Sequence, residues 1–209
     1  MLRLPRRLAL ATSLVAFLLT ITGSGLAAAE AAPSSCGARD VSQPFVPWLD
    51  FGHYFLMPGG DLESTAGWTL GGSARLVSGN EPFHVHAAGD GTSLELPAGS
   101  WARTASTCVD SDEPTMRFFV RNTGSLLSTL TVQATIRTTV LGLTTETTLP
   151  LGVVLGTTQA WQPSLPVVFK LSLNQLLGGT TTVDFRFTPV GLGGDWQVDD
   201  VYVDPFKDR

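Results

Sequence analysis

The feature that most constrains the fold is a strict alternation of apolar and polar residues at 130–138. The run LTVQATIRT places Leu, Val, Ala and Ile on one face and Thr, Gln, Thr and Arg on the other. Successive side chains of a β-strand point to opposite faces, so this pattern is typical of a strand with one buried face. We therefore predict a half-buried strand here.

Similar short runs recur along the chain, separated by Gly, Pro, Asn and Asp at a spacing of about 8–12 residues. Helical periodicity is nearly absent, apart from a short helix predicted at 174–177 and ended by a glycine pair. The pattern predicts an all-β sandwich or barrel. The predicted strands are 67–70, 73–78, 94–96, 101–107, 115–121, 130–138, 144–154, 167–173, 183–187 and 194–203.

The first 31 residues have the order of an export signal. The basic MLRLPRR precedes an apolar stretch at 8–21 and then small residues ending in GLAAAEAAP. We predict a signal peptide at 1–31 and a secreted, extracellular product that is not held in a membrane. Without that segment the chain has 10 basic and 17 acidic residues. This acidity argues against nucleic acid and anionic membrane surfaces as partners.

Two cysteines in an exported chain, Cys36 and Cys108, most simply pair with each other. Their long loop gives about 4 kcal/mol of stabilisation in the chain-entropy treatment. The bridge would pin a Pro-rich, aromatic N-terminal arm at 32–57 to a β-sandwich domain at 58–206. We expect the arm to wrap that domain through its aromatic residues, which are Phe45, Trp48, Phe51, Tyr54 and Phe55.

Catalytic signatures are mostly missing. The sequence has no GxSxG, HExxH, CxxC, P-loop or GxGxxG motif. His84 and His86 would share a strand face and offer two metal ligands, although two solvent-facing residues explain the pattern more simply. Carboxylates that could form a glycosidase pair are plentiful, but the sequence selects none of them. We expect no catalytic residue and keep the enzyme hypothesis as an alternative.

Aromatic side chains are the stronger candidates for ligand contact, because flat rings stack on the apolar faces of sugars. In the strand MRFFVR, alternation places Phe119 between Arg117 and Arg121 on the less apolar face. A ring covered by a loop is an equally good explanation of this pattern. Trp101 and Trp161 are further candidates for a sugar platform.

The segment GGDWQVDDVYVDPF at 193–206 carries a change of phase. Trp196 and Val198 belong to one face by alternation, whereas Val201 and Val203 belong to the other. A β-bulge at Asp199 and Asp200 would let all four apolar side chains point into the core. A carboxylate drawn inward needs backbone N–H groups, an arginine or a cation. Cation binding and local hydrogen bonding are therefore the leading explanations for this acid pair.

Three segments together resemble the galactose-binding-like β-jelly-roll of many carbohydrate-binding modules. They are PGGDLESTAGWTL at 58–70, GDGTSLELPAGS at 89–100 and TVDFRFTPVGLGGDWQVDDVYVDP at 182–205. The resemblance implies an antiparallel jelly-roll sandwich. It also implies a structural calcium shared by Asp61 or Glu63 with Asp199 or Asp200. Leu62 stands where the family usually has Phe, and the family's sugar-binding aromatics cannot be transferred by position.

These observations favour a secreted, non-catalytic protein that binds carbohydrate or another cell-envelope component. A structural or adhesive envelope protein that contacts other proteins is the alternative, and a glycan-active hydrolase is the third. The scarcity of lysine beside arginine and the abundance of Ala, Gly, Thr and Leu point to a bacterial source. The sequence predicts no oligomeric state.

Overall fold

The computed structural model describes residues 36–110, 113–169 and 179–204, which form two antiparallel β-sheets packed face to face. The predicted all-β sandwich is confirmed. The signal peptide predicted at 1–31 and the short helix predicted at 174–177 lie outside the described residues. Within the described part of the chain, no helix has the length and apolarity that a membrane crossing requires.

Most strands match the alternating runs of the sequence. The run predicted at 101–107 is divided into two strands, and the run predicted at 167–173 is a strand only at its first two residues, while 170–173 lie outside the described residues. Their bounds, in chain order, are β1 Phe55–Leu56, β2 Trp68–Gly71, β3 Arg75–Ser78, β4 Thr92–Leu96, β5 Trp101–Thr104, β6 Thr107–Cys108, β7 Thr115–Asn122, β8 Thr129–Val140, β9 Leu143–Leu155, β10 Gln162–Pro163, β11 Val167–Val168, β12 Thr180–Val190 and β13 Trp196–Asp204.

The first sheet has the order β10-β7-β13-β4-β3, with β1 also paired to β13 and β11 also paired to β7. The second sheet has the order β2-β5-β12-β8-β9, with β6 also paired to β12. Neighbours in each sheet come from distant parts of the sequence, as in a jelly roll. The consecutive pairs β3–β4 and β8–β9 are the exceptions, and the second of them is a tight hairpin. It turns at Leu141 and Gly142, whose φ angles of 51° and 80° suit a tight two-residue hairpin turn.

The hydrophobic core lies between the two sheets and is built from the apolar faces that alternation predicts. Phe185 and Phe187 of β12 are completely buried, and the ring of Phe187 meets that of Phe118 edge to face at 5.0 Å. Trp196 of β13 is also completely buried. This burial of large side chains is the main source of stability for a domain of this size.

The predicted β-bulge is present in β13. The pairing of β13 with β7 shifts between Asp199 and Tyr202, and Asp200 has a φ of 45°. Val198 and Val201 are both completely buried, so the extra residue lets both valines face the core. The two aspartates lie on the opposite, outer side of the first sheet.

The N-terminal arm, residues 36–57, begins at a disulfide between Cys36 and Cys108, as predicted. A single 3-10 turn at Val46–Trp48 has Pro47 as its second residue, and Ser42 and Tyr54 exchange backbone hydrogen bonds of 2.8 Å. The arm ends in β1, which joins the first sheet beside β13. The prediction that the aromatic residues of the arm pack on the domain is wrong for Phe51, which is 63% exposed.

Candidate functional site

The outer face of the first sheet is covered by the arm. Phe45 and Tyr54 of the arm and Phe119 and Tyr202 of the sheet form a second buried cluster. The ring of Phe45 stacks on that of Phe119 with centroids 5.5 Å apart, and Trp48 approaches Phe119 at 5.3 Å. Phe119 has no exposed surface. It therefore offers no open ring face to a ligand while the arm is in place.

Arg117, the first arginine flanking Phe119, also serves the arm. Its Nη1 lies 2.7 Å from Asp50 Oδ2, its Nε donates to the carbonyl of Ser164 at 3.0 Å, and its guanidinium lies 4.2 Å from the centre of the Phe45 ring. Burial works against ionisation of Asp50. Hydrogen bonds from Tyr54 and Arg117 outweigh burial and hold the pKa of Asp50 below its ordinary value.

Arg121 and Trp161 lie at the rim of the covered area and are only half-buried. Arg121 Nε donates to Gln197 Oε1 at 2.7 Å, and its guanidinium lies 5.1 Å from the centre of the Trp161 ring. Trp161 also packs against the second cluster. The structure thus groups these two predicted residues with each other and separates them from Trp101, which belongs to the other sheet.

The second sheet leaves its outer face open around Trp101. Trp101 of β5 is the register partner of Gly71 on β2, and its indole occupies the space above that glycine. A Cβ added to Gly71 would lie 2.1 Å from Trp101 Cε2, so only glycine accommodates this ring position. The indole is half-buried.

A shallow depression of about 670 Å³ adjoins this tryptophan on the same face. Its polar lining comes from Thr131 and Gln133 of β8 and from Arg186 and Thr188 of β12, and it extends to residues 150–153 of β9. The Arg186 guanidinium lies 4.4 Å from the centre of the Trp101 ring. An aromatic ring, a cation, hydroxyls and an amide therefore lie side by side on an open surface.

A chain of ion pairs runs along the next rows of this face. Asp184 Oδ1 lies 3.3 Å from Arg103 Nε, and its Oδ2 accepts a hydrogen bond from Arg137. Arg137 also pairs with Glu146 at 2.8 Å. Each of these charged side chains is held in place by an ion pair with a neighbour, so the polar surface beside the depression is ordered.

The Asp199–Asp200 bulge lies under the loop 81–90. Asp199 accepts hydrogen bonds from the N–H groups of Glu81 at 2.9 Å and Asp200 at 3.0 Å. Glu81 in turn accepts from the N–H groups of Phe83 at 2.5 Å and Val85 at 2.8 Å. These bonds supply part of the compensation that a buried carboxylate needs.

Asp200 is different, because it has no exposed surface and neither carboxylate oxygen has a hydrogen-bond partner among the described residues. The ligand atoms of Asp200, His86 and Asp90 all lie within 4.8 Å of one another. His86 Nδ1 is 2.8 Å from Asp90 Oδ2. We call Glu81, His86, Asp90, Asp199 and Asp200 the acidic cluster.

Electrostatics favour the neutral form of two carboxyl groups in the acidic cluster, those of Asp199 and Asp200, when no cation is bound. Burial raises the pKa of Asp199 to about 8. Burial, followed by the charges of Asp199 and Glu81, raises the pKa of Asp200 to about 9. Asp199 and Asp200 are neighbours with no exposed surface, and they cannot both ionise without a compensating charge.

The metal ligands predicted in the segment 58–70 take other positions. Glu63 accepts hydrogen bonds of 2.8 Å from the N–H groups of Gly91 and Thr92, which ties the segment 58–70 to the end of the loop 81–90. Asp61 is half-buried and is not part of the acidic cluster. The structure instead brings His86 and Asp90 to Asp200. His86 was a candidate in the sequence, but as the partner of His84 on a strand, whereas this segment is a loop in which His84 has a φ of 49°.

No protein-family model matches the chain, and no characterised protein matches it in sequence. Solved structures similar to it include the CBM22-1 xylan-binding domain of Xyn10C from Paenibacillus barcinonensis, at 14% identity, 83% of this chain, 100% of that chain and a TM-score of 0.44. Another is TmCBM61 in complex with β-1,4-galactotriose, at 14% identity, 70% of this chain, 93% of that chain and a TM-score of 0.36.

A third similar structure is the CBM22-1–GH10 part of the Clostridium thermocellum xylanase Xyn10B, complexed with xylohexaose. It has 13% identity and a TM-score of 0.47, over 72% of this chain. The chain spans only 28% of that two-module protein. All three proteins contain carbohydrate-binding modules by name, and the ligand named with each is a property of that protein.

Proposed function

We propose that this protein is a secreted, non-catalytic carbohydrate-binding protein whose ligand lies on the outer face of the second sheet, next to Trp101. The observation that carries the proposal is the indole of Trp101 seated over Gly71 at the end of an open polar depression. The ligand is a polysaccharide, either free or part of a cell envelope.

The chemistry of this face suits a sugar. A pyranose ring presents an apolar C–H face, which an indole covers, and a rim of hydroxyl groups that both donate and accept hydrogen bonds. Thr131, Gln133 and Thr188 supply hydroxyl and amide groups of both kinds beside the ring. An open, shallow surface of this type admits a chain from either side, as binding to a polymer requires.

Two observations support the remaining parts of the proposal. The disulfide between Cys36 and Cys108 forms and persists in an oxidising compartment, which supports secretion. The paired acids at the bulge, Asp199 and Asp200, have no exposed surface. A substrate cannot reach them, which supports a binding role over glycoside hydrolysis at this pair.

Binding to insoluble and soluble polysaccharides, by pull-down and affinity electrophoresis, tests the proposal. We expect Trp101→Ala to abolish binding without changing the melting temperature by more than a few degrees. Phe51→Ala is the matched control, because it removes another solvent-accessible aromatic ring, on the N-terminal arm that lies over the first sheet. Retention of full glycan binding by Trp101→Ala would refute the site, and binding of no glycan by the wild type would refute the function.

The alternative of an adhesive, protein-binding role is favoured by one observation on the arm. Leu49 is 81% exposed, Phe51 63% and Phe83 45%, so apolar side chains face solvent above the first sheet. If this surface is the functional one, Phe51→Ala should weaken self-association or crosslinking to envelope proteins. Loss of glycan binding in Trp101→Ala together with unchanged association in Phe51→Ala argues against it.

We also propose that the acidic cluster holds a structural calcium ion. Carboxylate oxygens are the ligands that calcium prefers. Asp200 and Asp90 supply such oxygens, and the carboxylate of Asp200 is buried without a hydrogen-bond partner among the described residues. A bound divalent cation would supply the positive charge that this site lacks and would fasten the loop 81–90 to β13.

Calorimetric titration of the chelated protein with calcium chloride tests this proposal. Calcium binding should raise the melting temperature and should be lost in Asp200→Asn. Asp61→Asn is the control and should bind normally. A stronger response to zinc than to calcium would overturn the calcium assignment, because it would make His86 a ligand.

A further inference from the structure

On the outer face of the second sheet, the positive charges of the arginines outnumber the negative charges of the carboxylates that pair with them. Arg103 and Arg186 are register partners on β5 and β12 and share this face, so two positive side chains stand side by side. Like charges directly opposite each other on a sheet are destabilising. A bound anion relieves such a repulsion.

The nearest carboxylate does not compensate Arg186. Asp184 lies on the same strand, but its two oxygens face Arg103 and Arg137. It is thus already shared by two arginines, one of which also pairs with Glu146. No carboxylate of the described residues lies within ion-pairing distance of Arg186.

The Arg186 side chain keeps its hydrogen-bonding capacity. Its Nε is buried and has no hydrogen-bond partner among the described residues. Its guanidinium carbon lies 4.4 Å from the centre of the Trp101 ring, and its Nη groups make no hydrogen bond or ion pair with the described residues. The other arginines of residues 36–110, 113–169 and 179–204 each have a polar side-chain or carboxylate partner: Arg39, Arg75, Arg103, Arg117, Arg121 and Arg137.

Arg186 is also in the right place to meet a ligand. It is the single charged residue in the lining of the depression, where its register partner Gln133 adds an amide and Thr188 adds a hydroxyl. A molecule that enters the depression meets one fixed positive charge and no carboxylate. This favours a ligand with a negative group over a neutral one.

We infer that the glycan bound on this face is acidic, and that Arg186 pairs with the carboxylate of a uronic acid residue while Trp101 covers a sugar ring of the same chain. The inference rests on the proposed function, because it specifies the ligand of that site. A planar carboxylate matches the guanidinium fork through two parallel N–H···O bonds. The preorganised stacking of Arg186 on Trp101 reduces the side-chain freedom lost on binding.

The test uses polygalacturonate, glucuronoxylan and alginate, each beside its carboxyl-reduced form, which has the same linkages and no charge. We expect the protein to bind at least one acidic polymer about tenfold or more tightly than its reduced form. Arg186→Gln should abolish this preference, and Arg186→Lys should retain part of it, because ammonium keeps the charge but lacks the fork. Arg75→Gln is the control. It removes an exposed arginine from β3 of the first sheet and should change nothing.

The outcomes separate this inference from the proposed function. Equal binding of acidic and reduced polymers, or an acid preference that survives in Arg186→Gln, overturns the inference. If that binding still depends on Trp101, the proposed function stands. Binding to dextran sulfate without binding to any uronate polymer overturns the carboxylate assignment. Binding of no polymer at all overturns both.

Discussion

The buried bulge should make the cation-free protein less stable as the pH rises. The pKa of Asp200 is raised by burial to about 9 in the folded protein, against about 4 for an aspartate in an unfolded chain. A group whose pKa is raised by folding adds stability below its unfolded pKa, and that stability is lost as the pH rises through the folded pKa. We therefore expect the free energy of unfolding to fall between about pH 4 and pH 9.

The magnitude follows from the proton that Asp200 keeps on folding. One group that is protonated in the folded state and ionised in the unfolded state changes the free energy of unfolding by about 1.4 kcal/mol per pH unit. From pH 5 to pH 8 this amounts to about 4 kcal/mol for Asp200. Asp200→Asn keeps the shape of the side chain and removes this titration. A smaller dependence remains in the variant, because the pKa of Asp199 is also raised, to about 8.

Urea denaturation in the presence of EDTA at pH 5, 6, 7 and 8 measures the effect. Between the two ends of this range the wild type should lose about 4 kcal/mol more than Asp200→Asn. Asp61→Asn should follow the wild type. Addition of calcium at pH 8 should restore stability to the wild type but not to Asp200→Asn. Parallel pH profiles for wild type and Asp200→Asn, or stability that rises with pH in the wild type, would refute the reasoning.

Three further predictions concern the proposed glycan-binding face around Trp101 and the N-terminal arm. Gly71→Val should displace the Trp101 indole and reduce glycan binding as strongly as Trp101→Ala, with a nearly unchanged circular dichroism spectrum, because the new side chain would overlap the ring. Cys36→Ser should lower the free energy of unfolding by about 4 kcal/mol in denaturant titrations, since the bridge to Cys108 closes a loop with a sequence separation of 72. Phe45→Ala should cost about 3–5 kcal/mol in the same titration and expose the second cluster to a hydrophobic dye.

The strands could be predicted from the sequence because burial on one face leaves a period of two in the residues themselves. The bulge at Asp199 and Asp200 could be predicted equally well, because an extra residue in a strand shifts the alternation of apolar and polar residues by one position. The 3-10 turn at Val46–Trp48 and the entry of Phe55–Leu56 into the first sheet were not predicted. They depend on how the arm packs, which alternation does not record.

The sites were harder to predict, because alternation assigns a side chain to a face but does not say what covers that face. Phe119 between two arginines has the pattern of an exposed platform, yet Phe45 of the arm lies on it. Trp101 has a less distinctive sequence context, and its half-buried side chain lies on the outer face of the second sheet. The contact between Asp90 and Asp200 joins two segments far apart in the chain, and no local pattern links them.

The position of β13 also bears on how the chain acquires its structure. Trp196–Asp204 pairs with β1, β4 and β7, so the middle of the first sheet is supplied by the last strand of the described chain. Until residues 196–204 have been synthesised, β1, β4 and β7 lack the neighbour that β13 provides. The edge of each strand that will face β13 stays unpaired until then. Folding is therefore expected to wait for synthesis to pass residue 204 and to be slow, because its pairings are non-local. Such late folding would keep the chain unfolded long enough to pass through a translocation channel, as the proposed secretion requires.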